Sequence, residues 1–200
     1  MPRVLSPAQV EDFRERLCAA AEHLFAEHGP GGVTMRQLAA ELGVSPMTPY
    51  RYFKDKDAIL AAVRASGFSR FAEAMKAAFL KESEPVAQSR EVGRAYVDFA
   101  LGNPDAYRLM FDFAQPSEGD YPELVEAATN ARQMLVRQAE GMIASGQIEG
   151  EPVMVAHMLW AALHGTVVLQ MAGKLSPGVD PARLRRDTFR AIVKGLAPDA

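Results

Sequence analysis

Apolar residues recur at intervals of three and four along most of the chain, and no long stretch alternates strictly between apolar and polar residues. This period is that of the amphipathic α-helix, so the sequence predicts an all-α fold. Ser6, Pro7 and Gln9 form an N-cap, a first-turn proline and a capping box. The apolar stripe that follows ends at "HGPGG", which predicts helix one over about residues 7–28.

The next two predicted helices are short. A second capping box, Thr34 with Gln37, predicts helix two over about residues 35–42. Gly43 suits the left-handed residue that ends a helix, and Ser45 is placed to cap a third helix over about residues 46–52. Two short helices joined by a tight turn with a glycine are typical of a helix-turn-helix, whose second helix enters the major groove of DNA.

The segment "SPMTPYRYF", residues 45–53, holds two prolines within four positions. Pro46 falls at the first helical position, where its missing N–H would have no helical partner in any case. Pro49 falls at the fourth position, where it removes only the first bond within the helix. Both prolines are therefore expected in the opening turn of helix three rather than at a break.

Six longer helices complete a predicted total of about nine. Their expected positions are Asp55 to about Phe79, Pro85 to about Leu101, a segment from Pro104 through "DAYRLMFDF", Pro122 to Ser145, the apolar stretch Val153 to Ala172, and Pro181 to about Leu196. "AQPSEGD" is predicted as a loop. Residues 1–55 are expected to form a DNA-binding domain, and residues 56–200 a helical ligand-binding and dimerisation domain.

Net charge and cysteine content bear on where a DNA-binding surface can lie and on the cellular compartment. The formal net charge is −3, so a basic surface for DNA has to be local. The stretch from Val33 to Lys56 contains four basic and two acidic residues, and Tyr50, Tyr52 and Phe53 are interleaved with the basic ones. The single cysteine, Cys18, excludes an internal disulfide, and the polar start of the chain does not read as a signal peptide. A cytoplasmic location is expected.

The N-terminal quarter closely resembles the TetR family of bacterial transcriptional repressors over about residues 13–63. The resemblance rests on the order and spacing of Thr34, Arg36, Leu38, Ala39, Leu42, Gly43, Val44, Ser45, Thr48, Tyr50, Tyr52, Phe53, Lys54, Lys56 and "DAILAAV". Pro49 departs from the leucine or isoleucine that the family often has there. The resemblance implies a homodimeric repressor, without a cofactor, that binds a palindromic operator and is released by a small, largely apolar ligand.

The family resemblance also assigns DNA contacts. The implied set is Thr34, Arg36, Pro46, Met47, Thr48, Tyr50, Arg51, Tyr52, Lys54 and Lys56. Met47 and Thr48 are expected to read bases, while Tyr52, Lys54 and Lys56 hold phosphates and set the register. Arg36 either contacts DNA or is a solvated surface residue, and Tyr50 either contacts phosphate or packs only in the core.

Farther along, "NPDAYRLMF" and the order Trp160, His164, Gly165 resemble the C-terminal domain of the TetR branch known for its W, H and G motif. The implied ligand pocket comprises Phe71, Met75, Phe99, Tyr107, Met110, Phe111, Met134, His157, Trp160 and His164. His157 and His164 alone do not make a metal site, and packing is the alternative role for the methionines. Helices near residues 152–173 and 181–196 are expected to pair two subunits.

Three other interpretations stay open at this level. Val153 to Ala172 is long enough for a membrane span, although an apolar helix can equally be covered by protein. No motif of an acyl-transfer, nucleotide-binding or metalloprotease site occurs, which disfavours an enzyme. A helical ligand-binding or adaptor protein that no longer reads DNA is the strongest alternative, and Arg36, Tyr50 and Lys56 argue against it.

Overall fold

The computed structural model describes residues 6–111 and 118–198. Within those ranges the fold has eight α-helices and no strand, so the all-α prediction is confirmed. The helices are α1 (Pro7–Gly32), α2 (Met35–Glu41), α3 (Lys56–Phe79), α4 (Pro85–Gly102), α5 (Pro104–Phe111), α6 (Pro122–Ala144), α7 (Pro152–Met171) and α8 (Pro181–Gly195). Two 3-10 helices, Pro49–Arg51 and Glu118–Asp120, lie between them.

The helix boundaries follow the predicted caps. The Oγ of Ser6 accepts from the N–H of Gln9 at 3.3 Å, and the Oε1 of Gln9 accepts from the N–H of Ser6 at 3.0 Å. Thr34 and Gln37 form the same reciprocal pair at α2. Gly29 interrupts the helical backbone of α1 with φ 71° and ψ 159°, close to the predicted end, and α1 resumes for one turn through Pro30.

The predicted third α-helix over residues 46–52 is wrong, which reduces the predicted nine helices to eight within the described residues. This segment is a turn followed by the 3-10 helix Pro49–Arg51. Pro49 has no N–H to donate to Ser45, and the carbonyl of Ser45 instead accepts from Thr48 at 2.8 Å. Arg51 and Tyr52 continue with i to i−3 bonds of 3.1 and 3.0 Å, the pattern of a 3-10 helix.

The predicted loop "AQPSEGD" lies partly outside the described residues, as do the last two residues of "DAYRLMFDF". The remainder of the loop, Glu118–Asp120, is a 3-10 helix. The described chain divides into two compact units. Unit one comprises the described residues up to Phe68 together with Asp105–Ala128, and unit two comprises Ser69–Pro104 and the described residues from Thr129 onward.

The core of unit one fixes α2 and the 3-10 helix beside α1. Fully or nearly fully buried residues of this core include Leu17, Ala21, Phe25, Val33, Leu38, Phe53, Ile59 and Leu60. Met110 packs against Gly67, where a Cβ would lie 3.1 Å from its side chain. Cys18 packs against the same core, and burial raises the pKa of its thiol to about 11, despite the opposing effect of Arg14. The thiol is therefore protonated and unreactive at neutral pH.

Unit two is built around α4, α6, α7 and α8. The ring of Phe71 contacts those of Tyr96 and Phe99, with centroids 5.0 and 5.2 Å apart. Met142, Ile148, Val155 and neighbouring apolar residues form a second cluster against α8. Acidic N-caps begin three of these helices: Glu84 for α4, Glu151 for α7 and Asp180 for α8. Each accepts two backbone N–H bonds and complements the positive end of its helix dipole.

Burial of Leu38 predicts a large cost for its truncation. Leu38 is completely buried, so Leu38→Ala should lower the free energy of unfolding by about 2–5 kcal/mol through lost contacts and a cavity. Leu80→Ala is the matched control because Leu80 is 72 % exposed, and its expected effect is within about 0.5 kcal/mol. Urea unfolding followed by circular dichroism measures both, and equal losses would contradict this view of the core.

Candidate nucleic-acid interface and ligand cavity

The helix-turn-helix segment exposes polar and basic side chains over a buried apolar base. Thr34, Arg36, Pro46, Met47, Tyr50, Arg51 and Lys54 are exposed, whereas Pro49 and Phe53 are buried. The 3-10 helix packs against α2, which also contributes Leu38 and Ala39 to the core. The buried side chains therefore hold the backbone of the segment in place, and the exposed side chains between them face solvent.

Met47 and Tyr50 are unusually exposed for large apolar residues, at 68 % and 49 %. Such exposure has no packing explanation within the chain, since neither side chain belongs to the core of unit one. An apolar thioether and an amphipathic ring beside arginines suit the thymine methyl groups and phosphates of a DNA groove. The interpretation of Tyr50 as a core residue is disfavoured by its exposure.

Contacts from α1 fix the end of the segment. The rings of Phe13 and Tyr52 stack with centroids 4.2 Å apart, and Nη1 of Arg14 donates to the carbonyl of Tyr52 at 3.2 Å. The Arg14 guanidinium also lies 4.4 Å above the Phe53 ring, a cation–π geometry. Tyr52 is thus anchored to α1 through its ring and its carbonyl, and only part of its surface is accessible to a partner.

Lys54 and Lys56 have different surroundings. The Lys54 side chain is 86 % exposed, and its ammonium lies 3.6 Å from the carboxylate of Asp55. The ammonium of Lys56 donates to the carbonyl of Pro30, at the last turn of α1. An ammonium has three donors, so this bond leaves capacity for a phosphate, but Lys56 also stabilises the end of α1. Its structural role was not predicted from the sequence.

The predicted ligand residues do not share one cavity. Phe71, Met75, Phe99, Tyr107, Met110 and Met134 are buried in the packed cores of the two units, and Phe111 is partly buried. His157 is exposed, and its Nδ1 bonds to the carbonyl of Val153 at 2.7 Å. Unit two contains a large cavity, and Trp160 is the one residue of the predicted ligand set that lines it.

That cavity has a volume of about 910 Å³ and is bounded by α4, α7 and α8, with a contribution from α6. Its walls are formed by α4 between Val86 and Asp98, by the part of α7 around Trp160 and Leu163, and by the part of α8 around Phe189 and Val193. Its volume is in the range of small-molecule sites. This lining was not predicted from the sequence because small residues such as Gly93, Ala156 and Ala162 create the space.

A hydrogen-bonded chain of three aromatic side chains joins α4 to α7 beside this cavity. Nε1 of Trp160 donates to the hydroxyl of Tyr96 at 3.1 Å, and the same hydroxyl lies 3.2 Å from Nδ1 of His164. The geometry is satisfied when Tyr96 donates its proton to Nδ1 of His164, which requires a neutral imidazole. Burial lowers the pKa of His164, in agreement with that state.

Among the described residues, no group of three or more His, Cys, Asp or Glu side chains is arranged to hold a metal ion. His23 lies 3.6 Å from Glu27 and 3.9 Å from Asp105, all at the surface of unit one. These pairs are exposed, and such pairs contribute little to stability.

Taken together, an exposed basic helix-turn-helix and a helical unit with a ligand-sized cavity define a DNA-binding transcriptional regulator. Two family models match the chain: "Bacterial regulatory proteins, tetR family" over residues 17–63 and "Tetracyclin repressor-like, C-terminal domain" over residues 89–196. The chain belongs to the TetR family of bacterial regulatory proteins. It is accordingly a DNA-binding regulator and not an enzyme.

Individual relatives agree with this assignment. The HTH-type transcriptional regulator RutR of Escherichia coli K12 is 25 % identical over 202 residues, covering 92 % of this chain and 91 % of its own. A protein of unknown function from Rhodococcus sp. RHA1 superposes with a TM-score of 0.80 at 32 % identity, covering 92 % and 95 % of the two chains. FadR from Bacillus subtilis, solved in complex with stearoyl-CoA, shares the fold with a TM-score of 0.75 at 19 % identity, covering 91 % and 98 %.

The neutral state of His164 predicts a pH dependence of stability. An unfolded histidine binds a proton near its ordinary pKa of 6.5, whereas His164 in the folded chain does so only at lower pH. Protons therefore favour the unfolded state as the pH falls below about 6.5, and the stabilisation present at higher pH is lost. The melting temperature should drop between about pH 7.5 and 5.5, and His164→Asn should reduce that drop.

His157→Asn is the matched control, because His157 lies on the same helix but is exposed. It should retain the pH dependence of the unmodified protein. A dependence equal in all three proteins would remove His164 as its source.

Proposed function

We propose that the protein is a homodimeric, cytoplasmic repressor that leaves a palindromic operator when a small, largely apolar molecule binds the C-terminal part of the chain. Residues 1–55 are its DNA-binding domain in this proposal, and residues 56–200 are its regulatory and dimerisation domain. The observation that carries the proposal is the exposure of Arg36, Met47, Tyr50 and Arg51 over the buried Pro49 and Phe53.

Operator contact is assigned to the exposed side of the helix-turn-helix. Arg36, Met47, Thr48 and Arg51 are the proposed base readers. The proposed contacts to the DNA backbone are Thr34, Pro46, Tyr50, Tyr52, Lys54 and Lys56. Replacement of helix three by a 3-10 turn is compatible with this division, since Pro49 and Phe53 are buried while Pro46, Met47, Tyr50, Arg51 and Lys54 are exposed. Arginine is the side chain best matched to a guanine edge, and exposed lysines neutralise phosphates.

Dimerisation is supported by the outer face of α7. Val153, Met154, Met158, Val168 and Leu169 are between 40 % and 62 % exposed, and they lie along one side of the helix together with Ala161 and Gly165. Pro152–Met171 is apolar and long enough to cross a membrane by length and composition, yet only 22 % of its most apolar window is buried in the chain. A second copy packing α7 and α8 against the same helices would cover this surface.

Ligand binding is assigned to the cavity between α4, α7 and α8, with Trp160 on its wall. The stearoyl-CoA bound to FadR supports a role for this kind of fold in binding molecules that carry a long apolar chain. For release, the ligand has to bind the DNA-free state more tightly than the DNA-bound state. A shift in operator occupancy from 99:1 to 1:99 requires a difference of about 5.5 kcal/mol.

DNA binding is tested by fluorescence anisotropy with the DNA upstream of the gene, at two salt concentrations. The protein should bind this upstream DNA about 10³-fold or more tightly than it binds random competitor DNA. Arg36→Ala should cost about 1–3 kcal/mol and relax the preference at one operator position, while Lys54→Ala should reduce the salt slope by about 1. Arg137→Ala, on the exposed side of α6, should change neither quantity.

Binding no better than to competitor would call for selection from a random DNA library. Failure of that selection as well would favour the alternative of a helical ligand-binding or adaptor protein that does not read DNA.

Dimerisation through α7 is tested at Gly165. Apart from the backbone of its own helix, no atom lies within 4 Å of a Cβ built there, so Gly165→Arg meets no clash at its Cβ and is expected to obstruct a second copy. Sedimentation analysis should give twice the mass of the 21.8 kDa chain for the unmodified protein and a single mass for the variant. Ala77→Arg, on the exposed side of α3, should remain dimeric. A dimeric Gly165→Arg protein would contradict the proposed interface.

A further inference from the structure

The cavity of unit two has an excess of positive charge at its lining. Six basic residues line it, namely Arg90, Arg94, Arg185, Arg186, Arg190 and Lys194, and its acidic lining residue is Asp98. The chain as a whole carries a net charge of −3, so this concentration of arginine is local. Charge of one sign around an otherwise apolar cavity attracts a ligand of the opposite sign.

Two of these arginines are already paired near the rim. Arg94 lies 3.1 Å from Glu91, and Arg190 lies 3.4 Å from Asp187. Among the described residues, no carboxylate lies within 4.0 Å of the guanidinium groups of Arg90, Arg185 or Arg186. The cavity therefore offers three guanidinium groups that have no carboxylate in direct contact within the described residues.

Arg185 is the best placed of the three. It is partly buried, and its Nη1 donates to Oε1 of Gln170 at 2.6 Å. That bond joins α8 to α7 and holds the guanidinium in one orientation, while leaving most of its five N–H donors for another acceptor. Burial lowers the pKa of Arg185, against the opposing effects of Asp180 and Asp98, so part of its hydration has been removed without a carboxylate in contact.

Most of the remaining lining is apolar. Val97 on α4, Leu159, Trp160 and Leu163 on α7, and Phe189 and Ile192 on α8 supply it. Several polar side chains of the lining bond within the protein: the hydroxyl of Tyr96 accepts from Trp160, and Nε2 of Gln138 donates to Oγ of Ser89 at 2.5 Å. An uncharged polar ligand would thus gain few hydrogen bonds along the cavity, whereas a hydrocarbon would displace water from apolar surface.

We propose that this cavity binds an amphipathic anion, with a carboxylate or phosphate headgroup at Arg185 and a hydrocarbon part along the α7 face that contains Trp160. The inference rests on the proposed ligand-binding role of the C-terminal part of the chain and specifies the chemical class of the ligand. Arg90 and Arg186 raise the local positive potential, and Arg185 makes the direct, charge-assisted hydrogen bonds.

The test uses the fluorescence of Trp160, the single tryptophan of the chain, in the full-length protein without DNA. Four twelve-carbon probes are titrated at concentrations below micelle formation: dodecanoate, dodecyl phosphate, 1-dodecanol and dodecyltrimethylammonium. At least one anion should bind about tenfold or more tightly than the alcohol, and the cation should bind more weakly than the alcohol. The comparison of dodecanoate with dodecyl phosphate distinguishes the two headgroups.

Three variants locate the headgroup. Arg185→Gln should weaken the preferred anion by about tenfold or more while leaving the alcohol unchanged, because one charge-assisted interaction is lost. Arg185→Lys should recover most of that affinity, since it keeps the charge. Arg137→Gln removes an exposed arginine outside the cavity and should bind all four probes as the unmodified protein does. Circular dichroism establishes that each variant is folded.

Equal affinity for anion and alcohol, or an unchanged anion affinity in Arg185→Gln, would overturn the proposed anion site. The effect on DNA is measured separately, by adding the preferred anion to the protein–operator complex. Binding at Trp160 without release of DNA would leave the anion site in place and contradict the proposed mechanism of release. If the anion releases DNA but binds the Arg185→Gln protein with full affinity, the proposed headgroup site is contradicted and the proposed mechanism of release is not.

Discussion

Helix α7 carries apolar side chains on all its faces, and each face needs a cover other than water. At 100° per residue, the face formed by Ala156, Leu159 and Leu163 lies opposite the face formed by Met154, Met158 and Val168. The first face is turned toward α4, α8 and the cavity, and the second is exposed. This one constraint underlies both the proposed ligand site and the proposed subunit interface, since each uses a side of the same helix.

The hydroxyl of Tyr96 joins α4 to the cavity side of α7. It is completely buried, and it binds Trp160 and His164, one turn apart on α7. A buried hydroxyl without partners would cost about 1–3 kcal/mol, so these bonds fix the separation of α4 from α7 rather than merely accompany it. The cavity remains open beside the fixed pair because Gly93 and Ala156 have no bulk to fill it. Rigid polar contacts and small residues together make a preformed space.

Much of the fold was predictable because the helix ends are marked chemically. Ser6 with Gln9 and Thr34 with Gln37 formed the expected capping boxes, and Gly43 took the expected positive φ, at 64°. The prediction of helix three is wrong because it assumes that Pro49 removes only one backbone hydrogen bond from the helix. In so short a segment, each missing N–H removes a large share of the helical bonds, and the tighter i to i−3 pattern replaces them. The capping role of Lys56 was missed because it requires knowledge that Pro30 lies nearby in space.

The ligand cavity could not be predicted for a different physical reason. Aromatic residues and methionines suggest an apolar lining, yet Phe71, Tyr107 and Met110 have the size and shape to fill space and are buried in packed cores. Empty volume arises where side chains are short, and a glycine or alanine in a helix carries no visible signal of that role. The arginines offered a better clue: Arg90 and Arg94 are four apart on α4, and α8 repeats basic residues at similar intervals.

A route from ligand to DNA follows from the shared use of α7 and α8. Both helices line the cavity, and both contribute to the proposed dimer interface, so a ligand that separates α4 from α8 alters the same helices that pair the subunits. The two recognition segments of a dimer have to match major grooves about 34–36 Å apart, which leaves little tolerance for such a change. Coupling then needs no contact between the ligand and the DNA-binding segment. It requires only that the paired helices can pack in two arrangements. The ligand has to favour the arrangement in which the two recognition segments cannot reach adjacent major grooves.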